Sequence, residues 1–265
     1  MSDVAESAFV YDKSFDGLLT CVFDSYLLKT RPMRLLAPDE PVPMFCVVAQ
    51  MVTTDEQKAA RVWAHLEKKM SNEALHSLTV SWLADGIADV DELIFRYICK
   101  MIDAPKSIET NFGDADVLRL AQVYKQVCGE RLRMLQFLRF QKTADGIYFA
   151  AFEPRHNVLP LTLDHFRDRF ADQQWIIYDL QRQYGYMYDL HDVNRVTFGA
   201  DNKFGTDGNL DKSIMDADEQ LFQSLWRTYY KSIAIESRRN PRKMKQDMPV
   251  RYWKHLTEKQ RENIV

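Results

Sequence analysis

The feature that most constrains this chain is a change of hydrophobic period near residue 134. Before it, apolar residues recur at helical spacing; after it, short β-rich runs alternate with turns. In "SFDGLLTCVFDSYLLK", Ser14 stands where a helix N-cap belongs, and Leu18, Leu19, Val22, Phe23, Tyr26 and Leu27 fall on one helical face. "VTTDEQKAARVWAHLEKKM" places Thr54 as a second cap, with acids in the first turn and lysines in the last, as the helix dipole favours. Helices are expected over about 72–84 and 90–103, and a longer one from Asp114 onward, after the breaker "ETNFG". Residues 1–130 therefore read as a mainly helical region.

Residues 131–200 read as an antiparallel α+β core. "MLQFLRFQKTADGIYFAAFEP" predicts a hairpin over about 134–152 around "TADG". A short helix follows, with Leu159, Leu163, Phe166 and Phe170 on its apolar side. "WIIYDLQ" and "YGYMYDL" then predict a second strand pair with Gly185 near its turn. The order strand–strand–helix–strand–strand implies an antiparallel sheet with a helix packed on it. Residues 201–265 complete the α+β chain as a C-terminal helix and a basic tail. The helix carries Leu221, Leu225, Trp226, Tyr229 and Ile233 along one side, a stripe expected to be buried against the sheet.

Composition narrows the class. The chain has 265 residues, 46% hydrophobic and 28% charged, which suits a soluble globular protein. Its longest apolar run, "MFCVVAQMV", is too short to cross a bilayer, so no membrane partner is expected. The start "MSDVAESAFVYDKSFDG" has neither a basic n-region nor an apolar core, which predicts a cytoplasmic protein. Cys21, Cys46, Cys99 and Cys128 are scattered in apolar segments, as reduced thiols would be. No CxxC pair is present, so no iron–sulfur or cysteine–zinc cofactor is expected in this chain. P-loop, dinucleotide, HExxH and GxSxG signatures are also absent.

Three groups of residues bear chemistry. The first is "EPRHNVLPLTLDHFRDRF", where Glu153, His156, Asp164 and His165 are the catalytic candidates: histidine and carboxylates supply general acid–base groups or ligands for a divalent metal. The spacing matches no zinc signature, and the same residues suit a loop entering a helix with a solvated outer face. His156, on the loop, is expected to be partly exposed at the sheet's edge beside Glu153. The second group is Tyr184, Tyr186 and Tyr188, alternate residues on one face of a strand, which would stack unpaired bases or pack against the fold. The third is the basic tail. Arg238, Arg239, Arg242, Lys243, Lys245, Arg251 and Lys254 face one acid, Asp247, within 238–254. The net charge there is +6 in a chain of −3. With Tyr252 and Trp253, this composition fits a DNA-contacting element, or a solubilising surface.

Together, "SFDGLLTCVFDSY", "RMLQFLRF", "GIYFAAFEPRHNVLPLTLDHFRDRFADQQWIIYDLQRQYG" and "MPVRYWKHL" resemble a bacterial family assigned to DNA metabolism or repair. The resemblance spans nearly the whole chain. It implies a radical-SAM partner protein, itself assigned to DNA repair, and kinship with a domain fused elsewhere to uracil-DNA glycosylase. This chain has no glycosylase-like portion. Three readings remain: a DNA-binding protein that assists its partner's reaction, a metal-dependent hydrolase or nuclease built on residues 153–165, and a scaffold for the partner.

Overall fold

The structure is a computed structural model that describes residues 7–44, 46, 48–199 and 210–260. The fold is α+β, and the chain divides into two compact units, residues 1–128 and 129–265. The start of the acidic loop, 201–209, lies outside the described residues.

The first unit is mainly helical, as its sequence period predicts, but it also holds a parallel sheet that the period does not reveal. β1 (Ser7–Val10) lies between β2 (Arg34–Leu36) and β3 (Val48–Met51), parallel to both. β1 is buried along its whole length, as a central parallel strand covered on both faces must be. α1 (Phe15–Leu27) follows β1, and the Ser14 hydroxyl caps it by accepting the Gly17 N–H. Gly17 leaves room for the cap: a Cβ would sit 2.3 Å from Asp12 Oδ1 and 2.9 Å from the Ser14 and Thr54 hydroxyls and would have to displace them. α2 (Glu56–Glu67) starts one residue later than its sequence suggested. Asp55 caps it, accepting from the amides of Gln57 and Lys58, while the Thr54 hydroxyl turns away to donate to Asp12. A carboxylate accepting two amides is the stronger cap. α3 (Asn72–Trp82) and α4 (Val90–Asp103) fall where expected, and α5 (Ala115–Phe137) runs from one unit into the other.

In the second unit, α5 continues to Phe137, so the hairpin begins later than residue 134. It is formed by β4 (Gln141–Lys142) and β5 (Tyr148–Phe152), with Gly146 at φ 83° in the turn. The sheet order is β4-β5-β6-β7-β8, with β6 at Trp175–Asp179, β7 at Tyr184–Tyr188 and a further strand, β8, at Val193–Val196. One pair departs from the antiparallel expectation: β5 and β6 run parallel. The reason is α6 (Leu163–Arg169), which lies between them in sequence and carries the chain back along the sheet as a crossover. Gly185 is the second residue of β7, just past the turn. A Cβ there would come within 2.5 Å of the Ile177 carbonyl oxygen.

α6 packs as its stripe predicts. Leu159 and Phe166 are buried, and Phe166 meets Trp175 and Phe140 edge-on. Trp175 packs in turn on Tyr188, and the opposite face of the sheet is filled by Phe149, Ile176, Tyr178 and Leu210. The tyrosines of β7 are thus largely packing groups: Tyr184 and Tyr188 are buried and Tyr186 is half-buried.

α7 (Glu219–Ser232) reverses the expected orientation. Its half-buried positions are the polar or amphipathic Gln223, Arg227 and Tyr230, while Leu221, Leu225, Trp226, Tyr229 and Ile233 are exposed. Polar anchors set this orientation. The buried Glu219 carboxylate accepts the Lys142 amide at 3.0 Å, Trp226 Nε1 donates to Glu258 at 2.9 Å, and Lys259 lies over the Tyr230 ring. α8 (Pro241–Asp247), capped by Asn240, and a 3-10 turn (Val250–His255) complete the described chain.

Candidate nucleic-acid interface

In open α/β sheets, ligands bind outside the carboxyl ends of parallel strands. Here that position, at the ends of β5 and β6, is occupied by the loop 153–157 and the turn 180–183. Arg182 ties the two together. Its guanidinium donates to the Pro154 carbonyl at 3.0 Å, the Arg155 carbonyl at 3.1 Å and Asp179 Oδ2 at 2.8 Å. Asp179 ends β6 and is fully buried. Burial raises its pKa, against the opposing pull of Arg182. The Tyr184 hydroxyl donates to Asn157.

A second buried carboxylate, Glu130 of α5, holds the loop from the other side. Its Oε1 accepts the Arg155 amide at 2.9 Å, and its Oε2 accepts the Tyr252 hydroxyl at 2.8 Å and pairs with Arg251. Burial pushes the Tyr252 phenol up to about 12, so it stays protonated as a donor. Lys254 Nζ reaches Glu153 Oε2 at 2.6 Å. Two of the stretches that carry the family resemblance, those over 146–185 and 248–256, therefore meet at this loop. The Arg155 side chain is exposed, and Arg133, Arg251 and Lys254 are partly so.

The sequence-predicted site residues are not gathered into one cleft. His156 is buried, 2% exposed, instead of standing partly open at the sheet's edge; the clamps on either side of it draw the loop inward. Glu153 is exposed and engaged with Lys254. Asp164 and His165 stand in solvent on α6, where Asp164 pairs with Arg167 at 3.1 Å and His165 lies edge-on to Phe166. Among the described residues no group of three or more His, Cys, Asp or Glu is placed to hold a metal ion.

The basic tail divides in two. Arg238, Arg239, Arg242, Lys243 and Lys245 are all exposed. Arg239 pairs with Glu236 and Lys243 with Asp247, whereas Arg238, Arg242 and Lys245 have no carboxylate partner among the described residues. Arg251, Tyr252 and Lys254 instead support the 153–157 loop, and Trp253 Nε1 donates to the Met248 carbonyl at 3.0 Å. Glu130, Asp179 and Arg182 were not singled out from the sequence. Asp179 and Arg182 do carry a signal, an acid and a base three residues apart at a strand end. Glu130 carries a different one, a single acid amid the apolar positions of a long helix.

Residues 88–258 match the family described as a domain of unknown function, DUF4130. That is well over half of the sequence. The chain belongs to the DUF4130 family. The family region takes in all of the 153–157 loop, its clamps and the exposed cations of α8. No curated protein matches the chain. Among solved structures, a pGpG-specific phosphodiesterase, PggH of Vibrio cholerae, aligns at 10% identity over 87% of this chain and 100% of that one. Its TM-score of 0.31 is too low to imply a common fold with this DUF4130 chain. None of the described helices is long and apolar enough to cross a membrane.

Proposed function

We propose that this DUF4130 chain binds DNA through its second unit and serves DNA repair or DNA metabolism beside a radical-SAM partner. The observation that carries the reading is the set of exposed cations Arg238, Arg242 and Lys245, which lack carboxylate partners among the described residues. Cations held in solvent without internal partners are free to displace counterions from a phosphate backbone. Arg155, Arg251 and Lys254 extend the same charge to the rim of the 153–157 loop. The resemblance of the sequence adds the process and the partner: any radical chemistry belongs to the partner's cofactor, and this chain holds the substrate strand. Within the loop, the clamps at Glu130, Asp179 and Arg182 are positioning groups that keep Arg155 aimed outward. Glu153 and His156 belong to the same loop, His156 on its buried side, and Asp164 and His165 stand on α6.

The test is a salt titration of duplex binding. Arg238→Ala/Arg242→Ala/Lys245→Ala should weaken binding and reduce the slope of log K against log salt by about 0.9 for each phosphate left unneutralised. The melting temperature should stay unchanged, because none of the three side chains packs on the fold. An unaltered slope removes α8 from the interface.

A further inference from the structure

The apolar face of α7 has no function in the reading above. Leu221, Phe222, Leu225, Trp226, Tyr229 and Ile233 are each between 40 and 60% exposed, on a helix whose anchors to the fold are polar. A contiguous apolar patch of this kind marks an interaction surface. Six half-exposed large side chains offer about 600 Å² per copy, given that aromatic side chains alone bury about 150–250 Å² each when fully covered. Doubled across two copies, that reaches about 1,200 Å², the lower bound for a specific protein interface.

We propose that α7 pairs antiparallel with α7 of a second copy of this chain, across a two-fold axis near Leu225. A two-fold contact uses one surface twice, so the surface must complement itself. α7 does so in both shape and charge. With Leu225 on the axis, Leu221 of one copy meets Tyr229 of the other. Exposed Asp218 precedes the first turn of α7 and exposed Lys231 stands in its last turn. Antiparallel pairing sets the acidic end of each copy against the basic end of the other, and it also opposes the two helix dipoles. The aliphatic Leu221, Leu225 and Ile233 are no match for phosphates, which separates this surface from the DNA-binding reading; neither depends on the other.

The experiment is sedimentation of the full chain over a dilution series. The wild type should shift from one-chain to two-chain mass, and Leu225→Asp/Tyr229→Asp should remain one chain with an unchanged thermal melt. Cross-linking checks the register. Leu225→Cys, beside the axis, should oxidise to a covalent dimer, while Ser224→Cys, on the flank, and the wild type with its native cysteines should not. A wild type that stays one chain at the highest concentration of a series reaching about 100 μM, where any association with a Kd near or below that value would show, overturns the proposal. So does a double variant that still dimerises, or a Ser224→Cys chain that cross-links as readily as Leu225→Cys.

Discussion

Helices α4 and α7 are each 14 residues long, and each carries an apolar stripe at helical spacing. On α4 the stripe disappears into the first unit: Leu93, Ile94, Tyr97, Ile98 and Met101 are buried. On α7 the corresponding face looks into solvent, and the only buried residue is Glu219. Amphipathic spacing therefore says that a face needs a cover, not that the same unit provides it. What separates the two helices is their anchoring. α4 is fixed by its apolar residues as well as by Asp91 and Glu92, whereas α7 has only polar or ring anchors, Glu219, Trp226 Nε1 and Tyr230, which leave the stripe outward.

The sharpest way to break this contrast is a matched pair of truncations. Ile94→Ala on α4 should destabilise the fold by about 2–5 kcal/mol, as expected for a fully buried aliphatic side chain. Leu225→Ala on α7 should change the stability of the single chain by less than about 0.5 kcal/mol in chemical denaturation. Equal destabilisation would mean that α7 is core after all. Trp226→Ala tests the anchor and should fall between the two. It removes a hydrogen bond to a carboxylate and the indole face beneath the Arg139 guanidinium, which together should cost about 1–2 kcal/mol.

The smallest effect is on pH dependence. Burial opposes the charge of Glu258, but the bonds from Arg139 and Trp226 outweigh it and hold its pKa below the ordinary glutamate value. A depressed carboxylate contributes stability above its unfolded pKa and loses it as pH falls through the folded value. The advantage of wild type over Glu258→Gln should therefore be full near neutrality and shrink on acidification below about pH 4. A gap that stays constant into acid would show that Glu258 does not anchor α7 through its charge.

The sequence disclosed what local chemistry determines. Ser14 capping α1, the spans of α3 and α4, and the inward stripe of α6 all follow from residues within a few turns of one another. It did not disclose the parallel sheet of the first unit, because β1, β2 and β3 are only three or four residues long and too short to show a period. The parallel β5–β6 pair hinges on a crossover, a topological fact with no local mark. At the candidate site, the basic composition of 238–254 was legible, but not its division into exposed cations and loop supports. That division depends on Glu130 and Glu153, more than 100 residues away in sequence. The burial of His156 likewise follows from Arg182 and Tyr184, which fold back onto its loop.

These separations affect the order in which the molecule can assemble. Tyr252 lies 122 residues beyond Glu130. A ribosome making this chain exposes α5 and the whole five-stranded sheet before Arg251 and Tyr252, the two partners of Glu130 Oε2 from the end of the chain, emerge. Until then, Glu130 Oε2 lacks these two partners, and the loop is held only by Arg182, Tyr184 and the bond from the Arg155 amide to Glu130. Long-range closures of this kind come late and slowly in folding. The candidate site is therefore the last part of the second unit to take form, and it is reserved for chains synthesised through Lys254.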